Sequence, residues 1–91
     1  MWIGGDPEKE ERNIRERKLP FLLIAALLEN LIAEWADERH DYGETRMIAV
    51  GTVGGRLMVA VYTLREDQGE PLVWVISIRK ANSREQKTWL G

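Results

Sequence analysis

Residues 72–81 read Leu-Val-Trp-Val-Ile-Ser-Ile-Arg-Lys-Ala and decide how the rest of the chain is interpreted. A short apolar run of this kind, rich in β-branched residues, is typical of a core strand. The two-residue period of a strand predicts one face formed by Leu72, Trp74, Ile76 and Ile78 and an opposite face formed by Val73, Val75, Ser77 and Arg79. The segment therefore predicts a core strand that carries Arg79 and Lys80 to the edge of a small sheet.

A helix-start signal follows this strand directly. Asn82 and Glu85 have the spacing of a capping box, in which each residue satisfies a backbone N–H of the other. We therefore expect a cationic corner and then a short C-terminal helix that ends near Trp89.

The composition favours one small globular domain over residues 1–91, with 44% hydrophobic and 31% charged residues. The chain has no cysteine, which excludes a disulfide, a thiol nucleophile and a thiolate metal site. The longest apolar block, residues 19–28, is about half of the roughly 20 residues that a membrane span needs. We expect a cytoplasmic protein that does not contact a membrane.

Charge is distributed unevenly along the chain, although the net charge is only -2. Residues 29–44 contain six acidic residues and one arginine, whereas residues 72–91 contain four basic residues and one glutamate. This separation predicts an acidic flank and an end that faces anions, although a solvated surface without a partner has the same pattern.

The N-terminal half predicts a short strand and two helices. Trp2 and Ile3 could form the strand, and Asp6-Pro7 is a favourable N-cap and first helical residue for a helix that reaches Lys18. A second, apolar helix is expected over residues 21–28. Whether residues 30–36 continue that helix or form an edge strand stays open at this level.

The C-terminal half predicts strands joined by tight turns. Residues 45–53 and 56–64 flank Gly54-Gly55, and two glycines supply the positive φ angles of a hairpin turn. A polar turn over residues 65–71 then leads to the core strand. The fold class predicted is α+β: two N-terminal helices packed on a small antiparallel sheet, a meander of three main strands with one or two edge strands left open, and a short C-terminal helix.

Pairing within this meander predicts which cations share an end of the sheet. A turn near Gln68 places Arg65 opposite residue 71 or 72 and Arg79 opposite about Leu57, so the two arginines lie about 26 Å apart at the usual rise per residue. One end should gather Glu44, Arg46 and Arg65, and the other should gather Arg56, Arg79 and Lys80.

Several short motifs occur in a distinctive order along nearly the whole chain. They are Asp6-Pro7-x-Lys9, Asn13, Phe21, His40-x-x-Gly43-Glu44-x-Arg46, Ile48-x-Val50-Gly51, Gly55-Arg56, Val61-Tyr62-Thr63-x-Arg65 and Ile76-Ser77-x-Arg79-Lys80-Ala81 with Glu85. In this order and spacing they resemble the BrnT toxins of type II toxin-antitoxin systems. The resemblance implies a RelE-like fold, RNA as the substrate and no cofactor. It also implies a ribbon-helix-helix antitoxin as the partner, which alone would contact operator DNA.

The chemistry implied by the resemblance is RNA cleavage without a metal ion. The 2′-hydroxyl attacks its own phosphate, and arginines stabilise the charge that develops in the transition state. The predicted catalytic residues are Arg79, beside a helix N-terminus, and the pair Arg65 and Glu66, in which the carboxylate is the base. The residues predicted to bind the substrate are Arg46, Lys80 and Arg84.

Each candidate also has a purely structural interpretation. An arginine that closes a strand commonly protects a sheet edge, and a polar turn after Arg65 increases solubility. His40, the only histidine, is either a general acid or a solvated loop residue. Trp35 and Trp89 could stack on bases, anchor a partner helix or close the rim of the core. One histidine and scattered acids form no metal-ligand spacing, so no metal site is predicted.

Two functions are compatible with the resemblance. The first is an endoribonuclease toxin, which Arg65 and Arg79 favour. The alternative is a catalytically inactive BrnT-like protein-binding module, which the net charge of -2 favours. The sequence Glu16-Arg17-Lys18, where such toxins carry Lys-His-Gly, favours it too. A third candidate is an unrelated α+β module with no nucleic-acid partner.

Overall fold

The computed structural model describes residues 1–39 and 43–91 and shows an α+β fold around one five-stranded sheet. In chain order the elements are β1 (Trp2–Gly5), α1 (Pro7–Arg17), a 3-10 turn (Phe21–Leu23), α2 (Ile24–Glu29), β2 (Leu31–Ala36), β3 (Met47–Val53), β4 (Arg56–Asp67), β5 (Glu70–Lys80) and α3 (Ser83–Leu90). The strand order in the sheet is β1-β5-β4-β3-β2, with β1 parallel to β5 and the other neighbours antiparallel.

The predicted fold, with two N-terminal helices on a three-stranded antiparallel sheet, is wrong. The chain begins with a strand that precedes both helices, and a further strand follows α2, so the sheet is five-stranded and mixed. Trp2 of β1 lies opposite Leu72 of β5, and no local sequence pattern encodes a pairing across that separation. Residues 30–36, which the sequence left open, contain the edge strand β2.

A bulge in β5 changes which side chains share a face. The register between β4 and β5 shifts at Ile76, and such an insertion reverses the alternation of the residues that follow it. Val75 and Ile78 therefore both lie in one buried cluster, although strict alternation predicted opposite faces. Arg79 lies directly opposite Val59, two residues from the predicted partner Leu57.

One face of the sheet is covered by α1, the 3-10 turn and α2. The core residues there are Leu19, Phe21, Ile24, Leu27, Ala49, Met58, Ala60, Tyr62, Val73, Val75 and Ile78. Glycines allow the helices to approach closely, because a Cβ on Gly51 would lie 2.5 Å from the Leu27 carbonyl oxygen and one on Gly5 would lie 2.6 Å from the Phe21 ring. This face is therefore a closed hydrophobic core.

Asn13 fixes α1 to the sheet. Its side chain is buried, and its Nδ2 donates to the backbone oxygens of Leu19 at 2.7 Å and Ile78 at 3.0 Å. Its Oδ1 accepts from Arg17 Nη1 at 3.1 Å. Asn13 is thus the buried polar anchor of a mostly solvated helix, and Glu10, which accepts from the Phe21 N–H at 2.9 Å, is a second contact of α1.

Both hairpin turns contain two residues with positive φ. The turn predicted at Gly54-Gly55 is confirmed, with φ angles of 57° and 79°. The second turn consists of Gln68 and Gly69 only, with φ angles of 51° and 81°. The predicted polar turn over residues 65–71 is therefore too long, because β4 continues to Asp67 and β5 begins at Glu70.

The second face of the sheet is only partly covered. There Trp89 of α3 packs on a small buried cluster formed by Val50, Leu57, Val59 and Ala81. No residue of α3 is itself buried. The remainder of this face forms an open cleft.

Candidate functional site

The cleft on the second face has a volume of about 630 Å³ and lies between the edge strand β2 and the helix α3. Apolar side chains from β3 and β4 form its floor, namely Ile48, Val59 and Val61. Its walls and rim are formed by Trp35, Ala36, Asp37, Glu38, Arg39, Ser77, Arg79 and Glu85. An apolar floor with charged groups around it is suited to a ligand that contains both an aromatic base and a phosphate.

Arg79 lies in this cleft and is held by Glu85. Its Nη1 and Nη2 donate to Oε1 and Oε2 of Glu85, both at 2.8 Å. The hydrogen bonds from Arg79 lower the pKa of Glu85 to about 2, aided by the backbone N–H of Asn82 and opposed by partial burial. The same pair raises the pKa of Arg79. Both groups are therefore charged across the physiological range.

The sharp corner between β5 and α3 explains why this pair forms. The Ala81 N–H donates to the Leu57 oxygen at 3.0 Å, which ends the pairing of β5 with β4. Asn82 then caps α3: its side chain accepts from the Glu85 N–H, and Glu85 Oε1 accepts from the Asn82 N–H, both at 2.9 Å. The predicted capping box is thus confirmed, and it aims the Glu85 carboxylate back at β5.

Two stacked tryptophan rings lie beside the cleft, between β2 and α3. The rings of Trp35 in β2 and Trp89 in α3 lie 5.8 Å apart between centroids, with an interplanar angle of 23°. Trp35 remains 41% exposed, so its ring forms part of the accessible wall. The stack connects the edge strand to the terminal helix across the open face.

A second arginine pair lies at the end of β2. Arg39 donates to the buried carboxylate of Asp37 from Nε at 2.8 Å and from Nη2 at 3.0 Å. The Asp37 N–H donates to the Arg46 carbonyl oxygen at 2.8 Å, which joins this corner to the start of β3. The cleft lining therefore includes two guanidinium groups, each beside a carboxylate.

Arg65 lies at the other end of the sheet. It is directly opposite Leu72, one of the two predicted partners, and its Nη2 lies 3.1 Å from Oε1 of Glu44. Its guanidinium carbon lies 4.3 Å above the ring of Trp74. Since Leu72 and Arg79 are seven residues apart on β5, Arg65 and Arg79 are separated by about 23 Å at the usual rise per residue. One phosphate cannot contact both.

The remaining predicted residues are dispersed. Glu66 lies opposite Pro71 near the second turn, and Lys80 lines a separate cleft with Arg56. Arg84 is exposed in the first turn of α3, and Arg46 precedes β3. His40 lies outside the described residues. The structure thus brings Arg79, but none of the other predicted catalytic residues, into the cleft.

Sequence reasoning did not assign a site role to Asp37, Arg39 or Glu85. For Glu85 a signal was present, because a capping-box carboxylate six residues after a strand-terminal arginine can turn back to meet it. For Asp37 and Arg39 the charged residues 37–39, Asp-Glu-Arg, were interpreted as part of an ordinary polar connection. Their role depends on β2 being a strand of this sheet, which the local pattern did not decide.

Comparison with known families gives one finding. The model of the family described as "Ribonuclease toxin, BrnT, of type II toxin-antitoxin system" matches residues 6–85. No curated protein sequence matches the chain. The matched residues include β2, the cleft and Arg79. Within residues 1–39 and 43–91, no three or more acidic or histidine side chains are grouped so as to hold a metal ion, and no helix is long and apolar enough to cross a membrane.

Proposed function

Because the chain belongs to the BrnT family of ribonuclease toxins of type II toxin-antitoxin systems, we propose that it cleaves RNA in the cleft beside Arg79 without a metal ion. The observation that carries this proposal is the position of Arg79, which lies at the end of a core strand and faces an apolar floor beside an exposed tryptophan ring. That arrangement offers a charge for a phosphate and surfaces for the neighbouring bases.

The reaction proposed is transfer of the phosphate to the adjacent ribose hydroxyl. The 2′-oxygen attacks phosphorus, the bond to the 5′-oxygen breaks, and a 2′,3′-cyclic phosphate and a 5′-hydroxyl are formed. Arg79 stabilises the additional negative charge on the phosphate oxygens. A guanidinium has five N–H donors, and the described contacts use three, two to Glu85 and one to the Lys80 carbonyl oxygen at 3.4 Å. Donors therefore remain for a phosphate while Glu85 fixes the orientation of the group.

The other predicted residues have supporting roles in this proposal. Lys80 and Arg84, near the corner between β5 and α3, attract the phosphates that flank the scissile one, and Arg46 contributes at the start of β3. Arg65 and Glu66, which the sequence predicted to be catalytic, lie at the other end of β5 from Arg79. In this proposal they contact a separate part of the RNA and not the phosphate that Arg79 binds.

Neutralisation of the toxin is proposed to follow the family pattern. A ribbon-helix-helix antitoxin binds the chain, and operator DNA is contacted only through that antitoxin. The compartment proposed is the cytoplasm, where the RNA substrate and the antitoxin are both present.

The test is RNA cleavage by the purified chain with EDTA present throughout. We expect products ending in a 2′,3′-cyclic phosphate, and we expect Arg79→Ala to lower the rate at least about a hundredfold, the scale on which loss of one transition-state charge contact acts. Arg15→Ala is the matched control, because Arg15 is also paired with a glutamate, Glu11, but on exposed α1. Cleavage that EDTA abolishes would contradict metal independence, and full activity of Arg79→Ala would contradict the role of Arg79.

The alternative is a catalytically inactive member that only binds a protein partner. It is favoured by the cleft charge, since three carboxylates (Asp37, Glu38 and Glu85) line the cleft with only two guanidiniums (Arg39 and Arg79). Expression in cells separates the two functions. Growth arrest that Arg79→Ala relieves supports the nuclease, whereas absence of arrest by a folded chain that still binds its antitoxin supports the binding module.

A further inference from the structure

The strand β2 is the free edge of the sheet on the side of the cleft. It is the last strand in the order β1-β5-β4-β3-β2, and its one neighbour among the described residues is β3. The backbone groups on its outer side therefore meet no other strand there. An exposed row of such groups is a template for an added strand.

This edge lacks most of the features that usually protect an edge strand. Its sequence Leu-Ile-Ala-Glu-Trp-Ala contains neither lysine nor proline, and its one charged residue, Glu34, accepts a hydrogen bond from the Tyr62 hydroxyl at 2.9 Å. The register shifts between Leu31 and Ala33, so a bulge protects only the beginning of the strand. The side chains of Leu31 and Ile32 are 42% and 43% exposed. Apolar exposure of this kind on an edge is typical of a binding surface.

The charge around β2 indicates the chemistry of what binds. Exposed carboxylates occur before, within and after the strand, at Glu29, Glu34 and Glu38. The one arginine of residues 29–39, Arg39, is paired with Asp37. The edge is therefore an apolar strip bordered by negative charge, which complements a segment that carries lysines or arginines and apolar residues at alternate positions.

The same strand forms a wall of the cleft. Trp35 and the residues that follow β2 line the cavity that contains Arg79. A segment added to β2 would extend the sheet beside this wall and narrow the approach of RNA to Arg79. Binding at this edge is thus able to block the site without contact with Arg79.

We propose that β2 is the docking strand for the antitoxin, which adds a basic, partly apolar extended segment to this edge and so closes the cleft. The proposal rests on the proposed neutralisation by an antitoxin and names the surface that it uses. The opposite edge, β1, is the competing surface, because Trp2 is also exposed there. However, β1 has four residues, against six in β2, and none of its residues lines the cleft beside Arg79.

The test uses the purified chain and its cognate antitoxin, and it first follows amide hydrogen exchange. We expect amides of residues 31–36 to become protected in the complex. Unchanged exchange in β2, with protection at β1 or elsewhere, would overturn the proposal. Failure of the two proteins to form any complex would instead contradict the proposed neutralisation itself.

The affinities of three variants for the antitoxin test two points separately: which edge of the sheet binds it, and whether the bound segment is basic. Ile32→Lys should weaken binding about tenfold or more, because it replaces an exposed apolar side chain of β2 with a charge of the same sign as the bound segment. Ile32→Glu should weaken binding less, because it preserves attraction to a basic segment. Trp2→Lys, at the other edge, should leave affinity within a factor of two or so. Equal losses for the two Ile32 variants would refute a basic partner segment, and a loss confined to Trp2→Lys would move the surface to β1. Melting curves by circular dichroism verify that each variant is folded.

Discussion

The guanidinium of Arg79 and the carboxylate of Glu85 face each other in parallel, with both N to O distances at 2.8 Å. Arg79 belongs to the last strand and Glu85 to the first turn of the terminal helix, so this pair joins the two elements, together with the packing of Trp89. The pair also holds the cation of the candidate site over the cleft. Two residues six positions apart thus connect the capping of α3 with the chemistry proposed for the cleft.

Stability at low pH should depend on Glu85. Its pKa is about 2 in the folded chain and near 4.5 without its partners, so its contribution is complete above about pH 4.5 and is lost as the pH falls towards 2. After allowance for solvent screening we expect a contribution of about 1–2 kcal/mol to the free energy of unfolding. Urea denaturation at pH 7 and pH 3 measures it.

Glu85→Gln and Glu11→Gln are the comparison for that experiment. Glu85→Gln should be less stable than the parent at pH 7 and should approach it at pH 3, whereas Glu11→Gln, in an exposed helix pair, should match the parent at pH 7. If Glu85→Gln differed from the parent by the same free energy of unfolding at both pH values, the Arg79–Glu85 pair would not be the source of the pH dependence.

Removal of the Asn13 side chain should destabilise the fold. Asn13→Ala leaves the Leu19 carbonyl oxygen without this donor and the Ile78 oxygen with the long contact from Arg17 Nη1 at 3.4 Å. A buried group that loses its hydrogen bond costs about 1–3 kcal/mol. Asn13→Asp should cost at least as much, because a carboxylate cannot donate to either oxygen. Thermal unfolding followed by circular dichroism gives the difference. A shift no larger than that of Arg12→Ala, on exposed α1, would mean that the contacts of Asn13 are dispensable.

Gly51→Ala should be strongly destabilising despite its small size. The added Cβ would lie 2.5 Å from the Leu27 oxygen and 2.8 Å from the Asn30 oxygen, both in the backbone where α2 ends. Such overpacking costs about 1–3 kcal/mol. Gly54→Ala tests the other role of glycine, since its φ is 57° with open space around it, and about 1–2 kcal/mol is expected there from conformation alone. Chemical denaturation measures both.

The crystal structures or NMR spectra of the two variants distinguish the cost of overpacking at residue 51 from the cost of a positive φ at residue 54. The end of α2 should move away from β3 in Gly51→Ala, whereas the change in Gly54→Ala should be confined to the turn. An unshifted α2 would show that the close approach at Gly51 is not the source of the loss.

The pKa of the Tyr62 hydroxyl should lie above the usual value for tyrosine. Burial, and then the hydrogen bond to Glu34, raise its pKa to about 12. Because the folded-state pKa lies above the usual value of 10, this group stabilises the fold below pH 10, and the contribution is lost as the pH rises towards 12. Ultraviolet titration of tyrosinate in a Tyr42→Phe background, where Tyr62 is the sole tyrosine, measures it. Glu34→Gln should lower the midpoint, and an unchanged midpoint would assign the shift to burial alone.

Part of the candidate site follows directly from the sequence. Arg79 ends an apolar run, and the Asn82 and Glu85 spacing predicts the helix after it, because both depend only on residues close together in the chain. The cleft itself does not follow from these residues. It requires Trp35 and Asp37 on one side and Glu85 on the other, and three strands, β3, β4 and β5, lie between these segments in the chain.

What the sequence determined by itself is local. Capping residues begin α1 and α3, paired glycines allow the positive φ of the turn before Arg56, and the hairpin register places Arg65 opposite Leu72, because each depends on neighbours or on one short loop. Tertiary structure decided the parallel pairing of β1 with β5, the strand character of residues 31–36 and the bulge at Ile76. The physical reason is that these features gain their free energy from contacts between distant segments, where burial against a completed sheet outweighs weak local preference.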